Sequence, residues 1–123
     1  ILINNAKISG VLIEYAGQYV IVGIGINVHT NPTVPEYKTT RLDEYVNVDL
    51  TDVISRLAKN IDRFMKSDFD SVRRRWMELA AGLNKLVEYR GEMVELIGVN
   101  DNGALVVRCG PEYLLVHGDE ILM

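Results

Sequence analysis

The sequence predicts an α+β chain: part of a mixed or antiparallel sheet with two packed helices, followed by a small, strongly bent all-β module. Three features carry that expectation. Two runs rich in Ile, Val, Leu and Tyr flank "YAGQ" near the start. Two stretches in the middle repeat apolar residues at helical spacing. The last third is a series of brief apolar runs divided by Gly, Asn and Pro, the texture of a strongly bent all-β module. The change falls near Gly82, so residues 1–82 and 83–123 are expected to form two domains.

Lys7 to Glu14 and Gln18 to Val28 read as antiparallel strands that turn at Gly17. From His29 to Asn47 the pattern dissolves into "HTNPTVPEYKTTRLDEYVN", whose prolines prevent a helix, so a long loop is expected there. Thr51 is the expected cap of a helix carrying Val53, Leu57, Ile61 and Phe64 on one face, with Ile54, Ala58 and Met65 beside them. A second helix after "KSD" carries Phe69, Val72, Trp76, Leu79 and Leu83 on one side, with Arg73, Arg74 and Arg75 on a solvated face. The strands "KLVEYR", "EMVELIGV", "ALVVRC" and "EYLLVHG" follow, separated by Gly91, "NDNG" and "GPE".

Composition narrows the function classes. A formal net charge of -4 over 123 residues disfavours a nucleic-acid partner, because phosphate-backbone affinity needs clustered Lys and Arg. The single cysteine, Cys109, permits no internal disulfide and suits a reducing compartment, so the cytoplasm is the expected location. No apolar run approaches the roughly 20 residues of a membrane span, and Asn4 and Asn5 break the opening "ILI" too early for a signal peptide. No membrane association is expected. The chain starts with Ile in what reads as mid-strand, which suggests a fragment or a processed chain.

"GIGIN", Gly23 to Asn27, lacks the third glycine and the following helix of a dinucleotide fingerprint. Gly23 and Gly25 lie two apart on a strand, so they leave one face without side chains. Either a flat ligand or another element's backbone can lie there. Lys7 alone reads as a solvated lysine. Beside a glycine-floored strand, its ammonium can instead hold an anion or stabilise charge on a transferring phosphoryl or acyl group. His29 and His117 have no companion ligands at metal spacing and read as structural, so no metal site is expected in the chain. Cys109 reads as a small buried residue.

The order of these parts, "KISGVLIE", a hairpin, "GIGIN", a proline-containing loop, two helices and then "NDNGALVVR" with "VHGDEI", resembles the C-terminal portion of biotin protein ligase, or biotin-[acetyl-CoA-carboxylase] ligase. The resemblance runs along essentially the whole chain, and it implies that the terminal all-β module, residues 83–123, is a small SH3-like β-barrel. It implies an enzyme that makes biotinyl-5′-AMP from biotin and ATP with Mg2+, then passes biotin to a lysine of a biotin carboxyl carrier protein. It implies that Lys7 is the catalytic lysine, contacting biotin's carboxylate and the nucleotide phosphate. Gly10 and Leu12 match strand positions lining the biotin slot, and Gly23, Gly25 and Ile26 match its floor. Asn27 matches the asparagine that hydrogen-bonds adenine. Thr39 and Thr40 stand where the family often has a Thr-Ser pair in the segment that orders around the adenylate.

A complete ligase also carries an upstream glycine- and arginine-rich biotin loop and a Lys-Trp-Pro-Asn-Asp stretch, and this sequence starts about where that stretch ends. The expected partners are therefore the missing N-terminal ligase half or a homo-oligomer, and the chain alone is expected to be inactive. Some family members place an arginine in the final strand to reach the ATP phosphates, whereas this chain finishes "EILM". Two other readings stand beside this one: a relative of lipoate-protein ligase, which also uses a Lys-x-Ser-Gly motif, and a non-catalytic regulatory or binding module on the ligase scaffold.

Overall fold

Two short asparagines start the fold. Asn4 and Asn5 both take positive φ, 50° and 62°, and join β1 (Leu2–Ile3) to antiparallel β2 (Ala6–Lys7) in a two-residue hairpin. Asparagine tolerates this left-handed geometry, which the tight primed turns require. The computed structural model describes residues 1–116 and the backbone of 121–122. The chain packs as two compact units, residues 1–59 and 60–123.

In the first unit, β3 (Ser9–Ala16) and β4 (Tyr19–Ile26) pair in full register, from Ser9 opposite Ile26 to Ala16 opposite Tyr19. Gly17, at φ 61°, starts the two-residue turn between them, where a side chain would be strained. These strands form a separate two-stranded ribbon and not one broad sheet. Both its faces are open: Val11, Ile13, Val20 and Val22 on one and Leu12 and Ile21 on the other are all more than half exposed. The expected long loop follows, and it contains one short 3-10 turn, Leu42–Glu44.

Helix α1 (Leu50–Met65) is capped by Asp49, not Thr51, because the Asp49 Oδ1 accepts the Asp52 N–H at 3.1 Å. Helix α2 (Phe69–Leu79) starts at Asp68, whose carboxylate accepts the Ser71 N–H, and it ends before Leu83. The two expected helices are present, and much of their apolar surface is exposed. Neither helix holds a fully buried residue, and Ile54, Ile61, Phe64, Phe69 and Leu79 stay largely exposed. Their apolar faces are still unfilled in this chain.

The second unit carries a sheet of five strands: β5 (Leu86–Tyr89), β6 (Glu92–Val99), β7 (Leu105–Cys109), β8 (Glu112–Val116) and β9 (Ile121–Leu122), in the order β8-β7-β6-β5-β9. All the pairings are antiparallel. Among the described residues β8 and β9 are not hydrogen-bonded to each other, so the expected SH3-like barrel is here an open sheet. His117 and most of "HGDEI" lie outside the described residues.

Helix α2 reaches the sheet at a bulge between Leu96 and Gly98, where the Met77 thioether fills the space a Gly98 side chain would take. Arg73 departs from the expected solvated face. Its guanidinium donates to the Val99 carbonyl and pairs with Asp70 and Asp101, while Arg74 and Arg75 do remain exposed.

The core of this unit is Val87, Val94, Leu96, Val107 and Val116, with Cys109 half-buried against it. Leu96 is 1% exposed, and so small a core has little to spare. Leu96→Ala should cost about 2–5 kcal/mol through lost transfer energy plus a cavity. Thermal denaturation should show a markedly lower transition. An unchanged melting curve would mean that the sheet contributes little to the folded state.

Candidate functional site

The hairpin brings the motif residues together by register. Gly10 lies opposite Gly25 and Leu12 opposite Gly23, so all four share one face of the ribbon. Ile26, opposite Ser9, belongs to the other face. A Cβ on Gly25 would meet nothing within 4 Å, and one on Gly23 would meet only Leu12 of the neighbouring strand. A Cβ on Gly10 would lie 3.8 Å from the Lys7 Cε. Among the described residues, no backbone beyond the hairpin itself approaches these glycines. The bare patch is open space with the stem of a lysine laid across one end.

Lys7 is held at that end by its main chain. Its N–H donates to the Lys38 carbonyl at 2.8 Å, its carbonyl accepts the Thr40 N–H at 2.9 Å, and it forms a parallel bridge with Thr39. Asn27 completes the knot. Its backbone joins Ile8 and Leu42, and its side-chain Nδ2 donates to the carbonyls of Lys7 at 3.4 Å and Thr40 at 3.0 Å. With both amide hydrogens so directed, the Asn27 Oδ1 is left as an acceptor.

The two threonines diverge. Thr39 Oγ1 accepts from Asn31 Nδ2 at 2.7 Å and donates to the Pro32 carbonyl, beside the lysine. Thr40 is buried, and its hydroxyl is engaged by Glu44 at 2.8 Å and Tyr45 at 3.0 Å. At the loop's far end Asp43 meets His29 at 3.2 Å and Arg41 at 2.8 Å. Partial desolvation pushes the Asp43 carboxyl up, but the His29 hydrogen bond and the Arg41 guanidinium outweigh it and hold the carboxyl below its usual range.

Lys7, Gly10, Asn27, Pro32, Tyr37 and Thr39 line a recess of about 150 Å³. Tyr37 was not singled out by its sequence, since a proline loop has no period that marks one residue. In the structure the Lys7 Nζ lies 3.5 Å from the Tyr37 hydroxyl and 4.8 Å from its ring centre. Among the described residues, no group of His, Cys, Asp or Glu is placed to hold a metal ion. Among the described residues, no helix is long and apolar enough to cross a membrane.

No family model matches the chain, and no curated protein sequence does. Solved structures do. The apo structure of biotin protein ligase from Aquifex aeolicus superposes with a TM-score of 0.75 at 25% identity, over 98% of this chain and 60% of that one. A second crystal structure of the Aquifex aeolicus enzyme gives a TM-score of 0.76 at 25% identity, over 97% and 59%. The same enzyme in complex with biotin and ATP gives 0.75 at 24% identity, over 98% and 56%. The chain thus spans about three-fifths of the length of the structures it matches. In fold and in the order of its elements, it corresponds to a C-terminal portion of a biotin protein ligase.

Proposed function

We propose that this chain forms part of a biotin protein ligase that joins biotin to AMP and then transfers the biotinyl group to a lysine of a biotin carboxyl carrier protein. The observation that carries the proposal is the Lys7 stem lying over Gly10, which pairs with Gly25 across the ribbon, at the mouth of a recess shared with Asn27. A flat ring system needs a floor without side chains, and the glycine face supplies one. Its carboxylate and the nucleotide's phosphates repel each other, and one ammonium between them lets the carboxylate approach the α-phosphorus for in-line attack. Lys7 is the group in reach. The Asn27 Oδ1, its amide hydrogens spent on backbone, suits the exocyclic amine of adenine. Magnesium would arrive on the triphosphate, as this ion commonly does.

Biotin-dependent exchange of pyrophosphate into ATP by the assembled ligase tests the proposal, and absence of exchange under conditions where the enzyme is folded rejects it. Gly25→Val probes the floor separately. Since the space above Gly25 is empty, the valine should leave the melting temperature nearly unchanged while lowering biotin affinity at least tenfold, read by calorimetric titration. A variant that bound biotin normally would remove the glycine face from the site.

A further inference from the structure

Tyr37 and Thr39 form a wall with a space on either side. One side is the 150 Å³ recess holding Lys7. The other is an open concavity of about 650 Å³ between Ala6, residues 33–40, Glu44 and Tyr45. Sites for small organic ligands commonly run to about 300–1,000 Å³, so the recess that holds Lys7 is too small for one by itself, and a ligand of that size reaching Lys7 has to extend into the neighbouring concavity. The wall is not equally fixed along its length. Thr39 is locked by the bridge to Lys7 and by Asn31 and Pro32. Tyr37 stands half-exposed at the edge, and its contact with the Lys7 ammonium, through ring and hydroxyl, is of the kind an anion would compete for.

We infer that Tyr37 is a gate: in the ligand-free chain its ring holds the Lys7 ammonium and divides the two spaces, and an anionic ligand displaces it to join them. The identity of that ligand as biotin and nucleotide rests on the proposed ligase function, but the gate itself does not. Tyr37 acts through Lys7 and is a positioning residue.

The test needs no turnover. The chain is treated with a limiting amine-acylating reagent, and labelling of Lys7 is measured by peptide mass spectrometry against exposed Lys59 as the internal reference. Tyr37→Ala should raise relative Lys7 labelling at least threefold, and Tyr37→Phe, which keeps the ring but loses the hydroxyl, should fall between it and the parent. In the assembled ligase, Tyr37→Ala should lower the KM for biotin, since no ring has to be displaced, and Tyr37→Phe should restore part of the difference. Equal Lys7 labelling in all three proteins overturns the gate even if the ligase is active. Raised labelling in the chain, together with no pyrophosphate exchange by the folded, assembled ligase, sustains the gate and rejects the ligase reading instead.

Discussion

Lys7→Ala is expected to abolish adenylate formation by the assembled ligase while leaving the chain folded. The side chain is not part of a core: its stem runs over Gly10 and its head meets Tyr37. The bonds that seat this position in the fold, to the Lys38 carbonyl and from the Thr40 amide, belong to the backbone and survive the substitution. Losing a partly exposed cation–aromatic contact costs about 0.5–1 kcal/mol, small beside the loss in chemistry. Removing a charge-assisted contact to the transferring group should slow pyrophosphate exchange about 10²-fold or more. Circular dichroism and the exchange assay separate the two effects. Near-normal exchange would strip Lys7 of its role, and a lost fold would show that the position is structural.

The parts of this site that could be read in the sequence are those set by strand alternation. Gly23 and Gly25 must share a face because they are two apart, and register then brings Gly10 and Leu12 to the same face. Alternation also puts Ile26 on the reverse side of the ribbon. What tertiary contacts decide could not be read. Asn27 directs its amide hydrogens to two carbonyls far away in sequence, Lys7 and Thr40, and the hydroxyls of adjacent Thr39 and Thr40 find different partners. Local signals also misled: Thr51 was the expected cap of α1, and the Asp49 carboxylate, two residues earlier, holds that place. "NN" at Asn4 and Asn5 is a turn signal, but two-residue strands on either side give no alternation to support it.

The most demanding expectation concerns the open ribbon. An isolated two-stranded hairpin is marginal in water, yet among the described residues β3 and β4 form a sheet of their own, tied to Ile1 at the Ser9 end, and expose apolar side chains on both faces. Unpaired edges of this length are templates for a further strand. About two-fifths of the Aquifex aeolicus chain lies outside the part that this chain matches, a length sufficient for strands beside such a ribbon and a second wall for the recess. A separately expressed N-terminal ligase half should therefore bind this chain, and the complex should gain biotin-dependent pyrophosphate exchange and carrier biotinylation that neither piece has alone. Binding should shield Val11, Ile13, Val20 and Val22 or their opposite face, and hydrogen exchange of the β3 and β4 edge amides should slow by at least tenfold. Replacing Val11 and Val22 together with lysine should prevent association without disturbing the separate core around Leu96, which circular dichroism of the chain alone would verify. Robust carrier biotinylation by the purified chain, with no second polypeptide present, would show that the site is complete without another wall and would overturn this account of the ribbon.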